Sequence, residues 1–154
     1  MTNLSAYLLS LPNEVKRRNT SILELMKIMS PEDYTIIDGV NARSFISYKP
    51  KTDEWSMDLS HPIISELEQC FGRPIDQMVR EETLRSLRDP WILENPGSIG
   101  CSFAHAKALK HFLTETTDDF AVIFEDDIKI LPGVSMCEFH QVAKSLPVNV
   151  PVIA

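Results

Sequence analysis

Residues 120–130 read FAVIFEDDIKI, and this stretch decides the fold. The apolar run FAVIF has the length of a buried strand, and Glu125, Asp126 and Asp127 follow it directly. Three neighbouring anions repel one another unless a cation or solvent compensates their charge. Because ligands of open α/β sheets collect at the carboxyl ends of the strands, we predict that this triplet lies at a ligand-binding edge.

The segments on both sides of this strand alternate between strand and helix patterns. Short apolar or β-branched runs predict strands, and apolar residues at helical spacing predict helices. The order predicts an α/β, Rossmann-like fold, in which a mostly parallel sheet carries helices on both faces. In chain order these segments are AYLLSL (6–11), a helix over 15–29, YTIIDGV (34–40), a helix that Ser98 caps, FAVIF, a helix over 134–146 and VPVIA (150–154).

Residues 41–96 interrupt this alternation, since they contain five prolines, many charges and no strong strand pattern. Two short helices are predicted there, over 62–70 and 75–87. We therefore expect a single domain over 1–154 with a helical and loop insertion at about 41–96. Insertions of this kind carry substrate contacts or cover a sheet edge.

Composition excludes several classes of protein. The net charge of −7 argues against nucleic-acid binding, which requires clustered lysine and arginine residues. No apolar stretch approaches the ~20 residues of a membrane span, and the first residues lack the pattern of a signal peptide. Three widely spaced cysteines suit free thiols in a reducing compartment. The expected location is therefore cytoplasmic.

The acidic triplet admits two interpretations. Hard divalent cations such as Mg²⁺ or Mn²⁺ bind carboxylate oxygens, and diphosphate oxygens commonly complete their coordination shell. Alternatively, the carboxylates solvate a turn or cap the next helix. The apolar residues Ile128 and Ile130 favour the ligand interpretation, because an exposed turn does not need them.

Four other residues are candidates for ligand contacts. Gly100 would allow a ligand to approach the backbone closely. His105 could bind a ligand or transfer a proton, although a helical histidine beside an apolar face is more often a core residue. Arg17 and Arg18 follow the first strand and could hold phosphates by charge, whereas the alternative is a solvated helix start.

Four segments form a recognisable set in chain order: AYLLSLPNEVKRR (6–18), YTIIDGVNAR (34–43), GSIGCSFAHAKALKHFL (97–113) and DDFAVIFEDDIKI (118–130). Together they resemble the family 25 glycosyltransferases, which include lipooligosaccharide galactosyl- and glucosyltransferases and collagen galactosyltransferases. The first two segments are similar to the family's first two strands with their turns, the third to its G-x-I-G-C-x-x-S-H helix and the fourth to its D-x-D metal motif.

The resemblance implies a GT-A fold and an inverting transfer of galactose or glucose from a UDP-sugar to a saccharide or lipid-linked acceptor, in lipooligosaccharide or lipopolysaccharide biosynthesis. A lipid-linked acceptor would place the chain at the inner face of the membrane. The implied cofactor is Mn²⁺ or Mg²⁺, held by Asp126 and Asp127. The implied donor-binding residues are Ser10, Leu11, Arg17, Arg18, Asp38, Gly39, Gly100, His105 and Glu125.

The chain departs from the family in three ways. Ser10 replaces the usual asparagine of the first strand end, and Ala104 replaces the usual serine before His105. Family enzymes also continue well beyond the equivalent of residue 154, so the chain is expected to be truncated at its C-terminus, with the catalytic base unknown. The exposed edge of VPVIA then predicts self-association.

Two alternatives to an active transferase remain. A truncated, non-catalytic relative would bind a nucleotide sugar or a partner protein. A phospho-acceptor receiver domain also uses clustered carboxylates and Mg²⁺, but its acidic pair should follow the first strand, where this chain has PNEVKRR.

Overall fold

The computed structural model describes residues 3–49, 54–86 and 96–146. The chain divides into two compact units, of which the first comprises Met1–Asp38 and Ala108–Ala154 and the second Gly39–Lys107. The predicted insertion at 41–96 lies within the range of the second unit. The elements in chain order are β1 (Leu4–Ser10), α1 (Val15–Leu25), β2 (Tyr34–Asp38), β3 (Ile46–Lys49), β4 (Glu54–Met57), α2 (Pro62–Phe71), α3 (Ile75–Ser86), α4 (Pro96–Glu115), β5 (Phe120–Glu125) and α5 (Met136–Ser145).

The first unit is built on a three-stranded sheet in the order β2–β1–β5, and both pairings are parallel. The central strand β1 is buried from Ala6 to Ser10, because strands border it on both sides. In the register, Ser10 pairs with Asp38 and Leu9 pairs with Glu125. All three strands therefore end at one edge. The α/β prediction with a parallel sheet is confirmed.

Helices cover both faces of this sheet, as the alternation of side chains along β1 requires. Leu8 lies in one core cluster with Leu25 of α1, and Phe139 of α5 packs against that cluster. Tyr7 points to the opposite face, where its ring meets His111 of α4 edge to face at 5.5 Å between centroids. The prediction of helices on both faces is confirmed.

The second unit has a core of its own, formed around Leu67, Ile75 and Phe103. Helices α2 and α3 confirm the two short helices predicted over 62–70 and 75–87. The expectation of a helical and loop insertion without a strong strand is wrong in part, because β3 and β4 pair there as antiparallel strands, from Ile46–Met57 to Lys49–Glu54. Their sequences, ISYK and EWSM, do alternate apolar and polar residues, but over only four positions each, the shortest run that predicts a strand.

Most element boundaries differ from the sequence-based expectations by one or two residues, those of α4 and α1 differ by more, and one predicted strand cannot be compared. Helix α4 begins at Pro96, so Ser98 lies inside its first turn and does not cap it. Proline is favoured in the first turn, because the N–H that it lacks has no partner in a helix there. Helix α1 ends at Leu25 instead of Met29. The strand predicted over 150–154, with the edge that motivated self-association, lies outside the described residues.

Candidate functional site

The carboxyl edge of the parallel sheet places polar side chains from distant parts of the chain side by side. Strands β1, β2 and β5 end at Ser10, Asp38 and Glu125, and Asp126 follows β5 directly. The loop after β1 leads into α1, whose first turn contributes Arg17. The prediction that the acidic triplet stands at the end of a strand is therefore confirmed, with the boundary one residue later than expected, because Glu125 is the last residue of β5.

Asp126 is the centre of a polar network at this edge. Its Oδ1 lies 2.6 Å from a terminal nitrogen of Arg17, and its Oδ2 accepts a hydrogen bond of 3.0 Å from Ser10 Oγ. The Asp126 side chain is only 11% exposed, whereas Arg17 is 51% exposed. Both carboxylate oxygens are thus engaged by protein groups, and the negative charge of a largely buried aspartate is compensated by one cation.

Arg18 joins the ends of the other two strands. Its guanidinium lies 2.7 Å from Asp38 Oδ1 and donates a hydrogen bond of 2.8 Å to the backbone carbonyl of Ser10. The Arg18 Nε is buried and has no hydrogen-bond partner within the described part of the chain. Arg18 therefore holds the ends of β1 and β2 together. Of the two arginines, Arg17 is the more exposed.

Two side chains on one face of α1 hold the segment that contains the acidic triplet, and the sequence analysis did not predict this role for them. Ser21 is 1% exposed, and its Oγ donates a hydrogen bond of 2.7 Å to the backbone carbonyl of Asp126. Glu24 Oε2 accepts a hydrogen bond of 2.8 Å from the Ile130 N–H. The spacing of Arg17, Ser21 and Glu24 places them on one helix face, and this spacing is the signal that could have identified them.

Glu24 has a perturbed carboxyl group. Its hydrogen bond with Lys27, followed by its bond from the Ile130 N–H, lowers the pKa of this carboxyl. Both partners favour the charged form, which is the usual effect of hydrogen bonds to a carboxylate. The ionised Glu24 carboxylate consequently holds the segment after the acidic triplet through the hydrogen bond from the Ile130 N–H.

The two other acidic residues of the triplet have different surroundings from Asp126. Asp127 and Glu125 are exposed, and Asp127 makes no hydrogen bond or ion pair within 3–49, 54–86 and 96–146. The donor set, carboxylate oxygens with one hydroxyl, has the chemistry that Mg²⁺ and Mn²⁺ prefer. Asp127 would bind such a cation as it stands, whereas Asp126 would first have to lose its contact with Arg17.

The described local contacts of the remaining predicted site residues are as follows. Leu11 follows β1, and its carbonyl accepts a hydrogen bond of 3.1 Å from the Glu14 N–H. In the second unit, His105 Nδ1 lies 3.0 Å from the backbone oxygen of Cys101 and 3.5 Å from its Sγ. Gly39 is the first residue of that unit.

Gly100 has a packing function in the second unit. A Cβ at this position would overlap the backbone carbonyl oxygen of Val40, so the helix and the segment at 40–42 could not approach as closely with any other residue. The glycine is thus explained without a ligand. Its role in donor binding stays a prediction.

Comparisons of the chain with family models, with curated proteins and with solved structures gave no match. The resemblance to family 25 therefore stays a prediction that depends on four short segments. None of the helices in the described ranges combines the length and the apolar character that crossing a membrane requires.

Proposed function

We propose that this chain is a family 25-like inverting glycosyltransferase that transfers galactose or glucose from a UDP-sugar to a saccharide acceptor. The observation that carries the proposal is the convergence of Ser10, Arg17, Arg18, Asp38 and Asp126 at the carboxyl edge of the parallel sheet. Ligands of open α/β sheets bind at such edges. The network contains two arginines and two carboxylates, and these are the kinds of group that recognise a diphosphate and its cation.

The residues of the network have separable functions in this proposal. Arg17, the half-exposed cation, binds the donor diphosphate, and Arg18 keeps the β1 and β2 ends in place. Asp127 and Asp126 would hold Mn²⁺ or Mg²⁺, and Glu125 would face the nucleotide. When bound, the cation supplies positive charge that stabilises the departing diphosphate.

The proposed setting follows from the proposed reaction. Lipooligosaccharide or lipopolysaccharide biosynthesis supplies saccharide acceptors linked to lipid, and the transferase would meet them in the cytoplasm at the inner face of the membrane. A domain that only binds the nucleotide sugar or a partner protein is the alternative, and it predicts donor binding without transfer.

The test is thermal unfolding with UDP, with Mn²⁺ and with both together. A ligand at ten times its dissociation constant stabilises the folded state by about 1.4 kcal/mol, which corresponds to a rise in Tm of roughly 3–6 °C. We expect the joint shift to exceed the sum of the separate shifts, and UDP-galactose or UDP-glucose to bind where GDP-mannose does not. Absence of any shift with UDP and Mn²⁺ would contradict the proposal.

A further inference from the structure

The proposed function assigns Arg17 to the donor diphosphate and Asp126 to the cation, and these two residues form an ion pair with each other in the structure. The Arg17 guanidinium contacts Asp126 Oδ1 at 2.6 Å, where a cation would have to bind. The second oxygen, Oδ2, accepts the hydrogen bond from Ser10. A divalent cation that arrives alone therefore competes with a guanidinium for Asp126 and is repelled by the same positive charge.

The ion pair is asymmetric, and this asymmetry identifies which partner moves. Apart from Arg17, two groups hold Asp126, since Ser10 donates a hydrogen bond to its carboxylate and Ser21 donates one to its carbonyl. Arg17 is 51% exposed, and its side chain can leave Asp126 by rotamer changes into solvent. Movement of the Arg17 side chain therefore costs less free energy than movement of Asp126, and it leaves one carboxylate oxygen of Asp126 available.

The N-terminus of α1 favours an anion beside Arg17. The first turn of this helix contains no acidic side chain, and Glu14 at the N-cap makes no capping hydrogen bond through its side chain. A cation at a helix N-terminus opposes the helix dipole, whereas an anion is favoured there. A diphosphate at this position would satisfy both the dipole and the guanidinium, which binds phosphate in bidentate geometry.

We propose that Arg17 makes the binding of a divalent cation at Asp126 depend on the diphosphate of the donor. This inference rests on the proposed function. In the free protein, Arg17 occupies Asp126 and weakens the binding of a lone cation. When a diphosphate binds, Arg17 moves to the phosphate oxygens and Asp126 Oδ1 becomes available, so the site takes up cation and diphosphate together.

The experiment measures Mn²⁺ affinity without nucleotide, from free Mn²⁺ in electron paramagnetic resonance titrations. Arg17→Gln should bind Mn²⁺ about fivefold more tightly than the wild type, the equivalent of losing one half-exposed ion pair. Lys16→Gln is the matched control, because it removes the same charge one residue away and leaves the pair with Asp126 intact. Its Mn²⁺ affinity should change less than twofold. Circular dichroism establishes that each variant is folded.

A second arm with UDP separates this inference from the proposed function. UDP should increase the Mn²⁺ affinity of the wild type. In Arg17→Gln the factor of increase should be at least threefold smaller, since Asp126 there has no guanidinium to lose. The proposed exchange of Arg17 between Asp126 and the diphosphate is overturned if Arg17→Gln and Lys16→Gln have equal Mn²⁺ affinities without nucleotide. It is also overturned if none of the proteins binds Mn²⁺. If UDP itself fails to bind the wild type, the proposed function is overturned, whatever the two variants show with Mn²⁺ alone.

Discussion

The hydroxyl of Ser10 donates a hydrogen bond of 3.0 Å to the Asp126 carboxylate and so joins residues that are 116 positions apart. Ser10 ends the central strand and is 2% exposed, and Asp126 follows the neighbouring strand. The bond therefore connects the ends of β1 and β5 at the edge where the donor is proposed to bind. A single small side chain contributes both to the stability of the sheet and to the shape of the candidate site.

Replacement of Ser10 by alanine should lower the free energy of unfolding by about 1 kcal/mol, because a buried acceptor loses a charge-assisted donor while Arg17 still compensates its charge. Urea unfolding, with an unchanged m value, measures the effect. Ser145→Ala is the control, since Ser145 is exposed and donates a local hydrogen bond to the Val142 carbonyl. Equal midpoints for both variants would show that the bond contributes nothing.

Asp126 and Asp127 are neighbours in the sequence and should respond in opposite ways to the same substitution. Asp126→Asn removes the ion pair with Arg17 and should lower the free energy of unfolding by about 1–2 kcal/mol. Asp127→Asn should leave stability unchanged or raise it, because it removes one like charge from an exposed side chain. Thermal unfolding of the metal-free proteins compares the two directly.

The same pair of variants tests the two interpretations of the acidic triplet. Under the proposed function, Asp127→Asn also abolishes the joint shift with UDP and Mn²⁺. A metal-free Asp127→Asn protein that melts well below the wild type, together with no joint shift in the wild type, would support the alternative in which the carboxylates are turn formers.

The sequence was sufficient to locate the edge but not to rank the residues on it. Apolar runs predicted the strands, and the α/β pattern placed the acidic triplet at the carboxyl edge of the sheet. Ser10 and Asp38 were assigned to the site only by the resemblance to family 25. Asp126 and Asp127 look equivalent in the sequence. They differ in the structure because the turn after β5 directs one carboxylate towards Arg17 and leaves the other in solvent.

Other features carried sequence signals too weak to be decisive. Ser21 shares a helix face with Arg17 and Glu24 by spacing, but the partner of its hydroxyl, the Asp126 carbonyl, comes from a distant part of the chain. Strands β3 and β4 alternate apolar and polar residues over only four positions each, in a segment that prolines and charges dominate. Gly100 suggested a ligand because glycine permits any close approach, and the approaching group is the backbone at Val40.

Replacement of Gly100 by alanine should destabilise the second unit by about 1–3 kcal/mol, the range for overpacking a close contact. Alanine favours helices by ~1 kcal/mol over glycine, so a net loss would show that the steric overlap with the Val40 carbonyl dominates. Ser102→Ala, at an exposed position of the same helix, should change the free energy of unfolding by less than about 0.5 kcal/mol. Stabilisation by Gly100→Ala would contradict the packing explanation.

The lowered pKa of Glu24 should make the first unit sensitive to acid. The carboxyl has a lower pKa in the folded protein than in the unfolded chain, because Lys27 and the Ile130 N–H both bind its charged form. Its contribution to stability is therefore fully present above the unfolded value of about 4.3 and is lost as pH falls through the folded pKa. Glu24→Gln should be less stable than the wild type at neutral pH, and the difference in Tm should shrink as the pH falls from about 6 to about 3.

Lys27→Gln distinguishes the two partners of Glu24 in this pH dependence. It removes the cation but leaves the hydrogen bond from the Ile130 N–H, so it should reduce the acid sensitivity without abolishing it. Differential scanning calorimetry of the wild type and both variants across this pH range provides the measurement. A difference between the wild type and Glu24→Gln that is constant with pH would mean that Glu24 stabilises the acidic turn through packing alone. In that case the charge of the Glu24 carboxylate would not contribute to holding Asp126 at the edge of the sheet.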